Sequence, residues 1–247
     1  MGIPFYDLLY DYSTVDFSTD TYDGGQHLNY SGARKVSSQV GEILKNVYGC
    51  PENRNEAYDS MLANFKKVEA VALLESERDF SAYVERLAQN KDHLTILIAA
   101  LSEYTQGMTE DNYSLLRDRL GLSLIADGAY ADSYVAAIEN GKVLYEGLSG
   151  REINHDLEVS GTPVHLYSAG WTSGRAGEIK LGEDQYAALG GGLTFVVLDN
   201  ESGVVIDYVA FNTFQPEKPP ERTAEIEAMN KYLRKYIHVM CFDYLEE

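Results

Sequence analysis

Two side chains suited to acid–base chemistry lie close together near the front of the chain. Asp23 and His27 are separated only by Gly24, Gly25 and Gln26. A short flexible spacer lets a carboxylate reach the near ring nitrogen of the histidine. The carboxylate then fixes the tautomer and stabilises the imidazolium, leaving the far nitrogen as a general base. Asp20 is a weaker candidate for the same acid. The alternative is a surface loop whose His27 and Asn29 cap local backbone groups. What must hold this loop is a helix directly after it. Ser31 reads as its N-cap, and Val36, Val40, Ile43, Leu44 and Val47 fall on one helical face. Gly49 and Pro51 end it.

The string Asp23-Gly-Gly-Gln-His27-Leu28-Asn29-Tyr30-Ser31-Gly32-Ala33-Arg34-Lys35 resembles the last block of SGNH/GDSL-type hydrolases. It is most similar to bacterial cell-surface members related to polysaccharide O-acetyl-transfer proteins. The resemblance implies that His27 matches the general base of a Ser-His-Asp triad and Asp23 its orienting acid. The family's nucleophile and oxyanion-hole residues come from blocks well upstream. Only 26 residues precede His27, and Ser13 and Ser18 lack the glycine turn that exposes a nucleophile. Without nucleophile and oxyanion donors the usual rate advantage is missing. The expectation is the tail of a hydrolase domain, not a working one. An esterase or O-acetyltransferase acting on carbohydrate would need a serine from outside this chain.

The other residue suited to a binding site is Trp171, the one tryptophan, in the glycine-flanked loop AGWTSGRAG. Exposed there, it would stack on a sugar ring; half-buried, it would anchor the loop. The 19 tyrosines are spread too evenly to mark a surface. Gly190, Gly191 and Gly192 precede a strand, so they read as a turn and not a phosphate cradle. His93, His155, His165 and His238 have no ligand spacing, and neither a metal nor a cofactor is expected.

The elements around Trp171 read as a β-rich domain. The continuous apolar run 94–101 predicts a strand buried on both faces. A helix with Tyr113, Leu116 and Leu120 on its stripe follows and stops at Gly121. Asn140-Gly141 between two strand-like runs predicts a tight hairpin. Further strands are expected at 162–168, 177–181, 193–198 and 204–211, the last two joined by Asp-Asn-Glu-Ser-Gly. Before this domain, Tyr58, Met61, Leu62, Phe65, Val68 and Ala72 predict one helix, and Phe80, Tyr83, Val84 and Leu87 a second. The closing run is similar to the interleukin-like EMT inducer (ILEI) domain. Gly191, Gly192, Leu193, Thr194, Asp199, Ser202, Gly203, Phe211, Asn212 and Thr213 stand at its motif positions. SYVAAIENGKVLYE and VHLYSAGWTSG also resemble its strands and its Ser-Ala-Gly turn. Thr194 and Asn212 replace the common Asn and Asp. The resemblance implies two β-sheets with short flanking helices, an extracytoplasmic, cell-surface location, no catalytic centre, and a glycan or protein partner.

The expected class is therefore α+β. Its parts are a hydrolase-like remnant at 1–50, a helical connector at 51–92, the β domain at 93–215 and a C-terminal helix at 216–247. That last helix carries Ile226, Met229, Leu233, Ile237 and Met240 at helical steps and would fold back or pair with a second copy. Composition sets outer limits. The 247 residues carry 39 Asp and Glu against 20 Lys and Arg, a formal net charge of -19. So negative a body repels nucleic acid and anionic lipid, which excludes nucleic-acid binding as the primary role. No apolar run approaches a membrane span of about 20 residues, and the first residues do not read as a signal peptide. Cys50 and Cys241 are too few for a disulfide scaffold and read as free thiols, a bridge between them being the alternative.

Overall fold

The computed structural model describes residue 6 and residues 15–21, 27–51 and 56–222. The chain is α+β, with four α-helices and two antiparallel sheets among the described residues. It divides into two compact units, Met1–Glu69 and Ala70–Glu247. The predicted C-terminal helix, with His238 and Cys241, lies outside the described residues. Cys50 is an exposed free thiol.

The first unit holds α1 (Tyr30–Asn46) and most of α2 (Glu56–Glu75). The N-cap of α1 is Asn29, not Ser31: its side chain accepts the Gly32 amide. Asn29 also donates from Nδ2 to the Thr19 carbonyl at 2.8 Å, so one side chain caps the helix and holds the preceding turn. Ser31, the second residue of the helix, bonds the Asp20 carboxylate instead. The apolar face expected on α1 exists, but Val40, Leu44 and Val47 are exposed.

In the second unit a six-stranded sheet runs in the order β10-β9-β8-β1-β2-β3. Its strands are β1 (Leu94–Leu101), β2 (Ser133–Glu139), β3 (Lys142–Ser149), β8 (Gly192–Asp199), β9 (Val204–Phe211) and β10 (Glu221–Arg222). A four-stranded sheet follows sequence order: β4 (Ile153–Val159), β5 (Thr162–Ala169), β6 (Ala176–Leu181) and β7 (Asp184–Ala187). Strand β1 lies between β2 and β8, which explains its unbroken apolar run. Its Leu97 and Ala99 join Val135, Val196, Leu166 and Ile179 in a core between the two sheets. The alternate residues Ile96 and Ile98 are equally buried and point the other way.

That other face is covered by helices. α3 (Phe80–Asn90) lays Phe80 and Tyr83 against Phe195 and Phe211, with the Tyr83 and Phe211 ring centroids 4.9 Å apart. α4 (Glu110–Leu115) starts in a capping box between Thr109 and Asn112. It continues as one wider helical turn, Leu116–Leu120, and stops at the left-handed Gly121. Leu116 and Leu120 are buried, as their spacing predicts. The Asn140-Gly141 hairpin has both residues at positive φ, 49° and 73°.

A buried charged cluster locks the far edge of the large sheet. The Asp207 carboxylate accepts the Tyr83 hydroxyl at 2.8 Å and the Arg222 Nε–H at 3.3 Å. Arg222 also donates to the Leu74 carbonyl at 3.2 Å. The side chains of Arg222 and Asp207 are only 1% and 2% exposed. Strand β10 is two residues long, so this pair, rather than its ladder, fastens it to β9.

Candidate functional site

The sequence-predicted residues fall in two places. His27 lies exposed, directly before the bridge residue Leu28. Asp23 lies outside the described residues. Asp20, the weaker acid, has a structural task. Its carboxylate takes Lys35 Nζ at 2.5 Å and the Asp16 amide at 2.8 Å, and its carbonyl accepts the Asn29 amide at 2.9 Å. A Cβ on Gly32 would overlap that same Asp20 carbonyl, so helix and turn touch backbone to backbone. Asn29, Gly32 and Lys35, all part of the hydrolase-like string, thus tie the turn at residues 16–20 to α1.

Burial alone would raise the Asp20 carboxyl, but hydrogen bonds from Lys35, Ser31 and the Asp16 amide outweigh it and hold the group below its ordinary 3.8. A carboxyl lowered in the folded state contributes stability that is present above the unfolded value and lost as pH falls through the folded one. Acid titration of the folded protein is therefore expected to lose part of its stability below about pH 4. Asp20→Asn should remove that part of the acid limb. An unchanged limb in thermal melts would contradict the assignment.

Trp171 sits in the second unit, in the turn between β5 and β6, and is 42% exposed. The Arg175 guanidinium carbon lies 3.0 Å from the centre of its ring, a cation–π stack. The amides of Ser173 and Arg175 both donate to the Gly170 carbonyl, at 3.0 and 3.2 Å, which curls the loop and brings the two side chains together. Behind the loop, the Gly170 amide donates to the buried Ser133 hydroxyl at 2.9 Å. Ser168 Oγ accepts the Tyr134 amide at 3.1 Å and donates to the Ala100 carbonyl at 2.8 Å. The loop is therefore fastened to β1 and β2 as well as to its own strands.

Backbone strain gathers at the same place. Five described non-glycine residues have positive φ: Ser102, Ala131, Asn140, Ser160 and Arg175. Asn140 and Ser160 sit in hairpin turns, where that conformation is normal. The other three all meet Gly170. Ser102 bridges to it, the Ala131 carbonyl abuts it where a Cβ would be, and the Arg175 amide bonds to its carbonyl. Each costs roughly 1–2 kcal/mol. Buried Glu103 holds part of this arrangement, accepting the Ala131 amide at 2.6 Å and the Thr105 amide at 2.5 Å.

A second grouping, not visible in the spacing, lies on the outer face of the small sheet. Register places Asp156, His165, Lys180 and Gln185 side by side across β4 to β7. His165 Nδ1 is 2.7 Å from Asp156 Oδ1, so its Nδ1–H donates a hydrogen bond to the carboxylate. The Ser160-Gly161 turn sets this register, and the strict alternation of β4 was the signal that could have found it. His155 is stacked on Tyr145 at 3.4 Å between ring centroids, a packing role.

Among the described residues, no group of three or more His, Cys, Asp or Glu is placed to hold a metal ion. No described helix is long and apolar enough to cross a membrane. Compared with family models, curated proteins and solved structures, the chain matches none.

Proposed function

We propose that the second unit is a binding module and that it takes a glycan at the loop end around Trp171. The observation that carries this reading is the strained backbone gathered around Gly170, directly under an exposed Trp–Arg stack. Left-handed non-glycine residues are costly and persist where the surroundings over-determine them, often at ligand clamps. Here their effect is to hold one aromatic face in a fixed place. Aromatic side chains bind sugars through the apolar C–H face of the ring, which needs a rigid, solvent-facing platform. The resemblance to the ILEI domain points the same way and adds an extracytoplasmic, cell-envelope setting beside a hydrolase of the SGNH type.

The test is a glycan array of cell-wall and capsular oligosaccharides, probed with the wild-type protein and with Trp171→Ala. At least one glycan is expected to bind, and the substitution should weaken it by about tenfold or more. No binding to any glycan by protein shown to be folded would remove the reading.

A further inference from the structure

We infer that the ligand of the Trp171 loop carries carboxylates: the site takes an acidic saccharide, a short uronate-bearing chain. This rests on the glycan reading above and narrows it. The argument starts from the arginines. Eight lie among the described residues. Arg34, Arg86, Arg117, Arg119 and Arg222 each meet a carboxylate within 4.0 Å. On a chain with 39 acidic residues that is the ordinary fate of a cation. Arg78, Arg151 and Arg175 have no such partner among the described residues. Arg78 precedes α3, whereas the other two stand at one end of the second unit. Arg151 follows Gly150, whose carbonyl accepts the Ser173 hydroxyl of the Trp171 loop at 3.4 Å.

Arg175 meets no carboxylate among the described residues and yet is held in place. Its guanidinium rests on the Trp171 ring, and its backbone is left-handed at φ 54°. Stacking leaves the edge N–H donors of the guanidinium unused, because the ring faces its plane and not its rim. A planar fork already oriented is suited to a carboxylate, which it meets through two parallel hydrogen bonds. A neutral sugar has no group that needs a fixed cation, since hydroxyls are served as well by amides or other hydroxyls. The overall negative charge does not forbid an acidic ligand. Charges farther than about 8–10 Å are largely screened at physiological ionic strength, so the contacting arginines decide. The same charge favours short chains over long polyanions, whose further carboxylates would pass within that range of other acidic side chains. In the complex, one sugar face lies on the exposed part of Trp171, its carboxylate on Arg175, and the next carboxylate along the chain on Arg151.

The experiment is calorimetric titration of the whole chain with tetragalacturonate and with its full methyl ester, which keeps the sugar and removes the charge. The acid form is expected to bind at least tenfold more tightly than the ester. Arg175→Gln should bring the acid form down to the ester's affinity, and Arg151→Gln should do so in part. Arg78→Gln, outside the loop end, should leave the preference intact, and circular dichroism checks that each variant is folded. Equal binding of acid and ester, or an acid preference untouched by Arg175→Gln, would overturn this inference and leave the glycan reading standing. So would failure of both forms beside a neutral glycan that binds through Trp171. Failure of every glycan tested would overturn both.

Discussion

Asp207→Ala is expected to lower the unfolding free energy by about 3–5 kcal/mol, because it removes a buried carboxylate that the Arg222 guanidinium meets. That is a large fraction of the 5–15 kcal/mol typical of a whole domain. Tyr83→Phe removes only the hydroxyl that donates to Asp207 and should cost less, about 1–3 kcal/mol. Replacing Asp207 and Arg222 together with apolar residues of similar volume should recover part of the loss, since both members of the pair are then gone. Urea denaturation measures all three. Asp207→Ala costing no more than Tyr83→Phe would show that the pair is not the fastening described. The same cluster contributes to the alkaline behaviour. Burial pushes the Tyr83 hydroxyl well above its ordinary 10.0, and the nearby Asp207 carboxylate adds to the rise. A raised acid of this kind contributes stability below its unfolded value, and that contribution is lost as pH climbs through the folded one.

Gly170→Ala is expected to cost up to about 3 kcal/mol and to displace the Trp171 loop. The added Cβ would overlap the Ala131 carbonyl oxygen and crowd the Asp132 backbone. Those atoms are main chain and cannot swing aside as a side chain would. Ala131 is also held by Glu103 through its amide, so the loop across from Gly170 is not free to retreat. The Trp171–Arg175 stack depends on the Gly170 carbonyl for its curl, so its geometry should change along with stability. Tryptophan emission reports the first effect and denaturation the second. A variant as stable as wild type with the same emission would mean that the approach at Gly170 is looser than described.

Much of the β-rich unit was legible in the sequence for definite reasons. The run at Leu94–Leu101 has no polar interruption because the strand is covered by helices on one face and a sheet on the other. Asn140-Gly141 announced its hairpin because both residues accept positive φ. The runs around Val204–Phe211 and Gly192–Asp199 were bounded by a turn of the right chemistry. Strands β4, β7 and β10 were not anticipated. β4 alternates inward and outward residues, but His155 stands among the inward ones and charged side chains on its outer face hide the pattern from a search for apolar runs. β7 and β10 are four and two residues long and exist through their neighbours.

The site was legible only in part. Trp171 stood out as the single tryptophan between glycines, but its partner Arg175 did not, because a curled loop has no periodicity that would pair positions four apart. The strain around Gly170 joins residues 102, 131 and 175, which only the tertiary fold brings together. Tyr83 and Asp207, 124 residues apart, are beyond any local pattern for the same reason. On the other side, Asp20 carried no visible sign that its carboxylate is taken by Lys35 fifteen positions later.

Because the chain has one tryptophan, its emission reports on the proposed binding loop alone. Titration of the intact protein with the oligosaccharides that score on the array, followed by long-wavelength excitation, should give a saturable change in Trp171 emission. The change should be absent in Trp171→Phe, which removes the reporter, while calorimetry still detects weakened binding in that variant. If a bound glycan leaves the emission of Trp171 unaltered at saturation, the ligand lies elsewhere and the loop end is not the binding site.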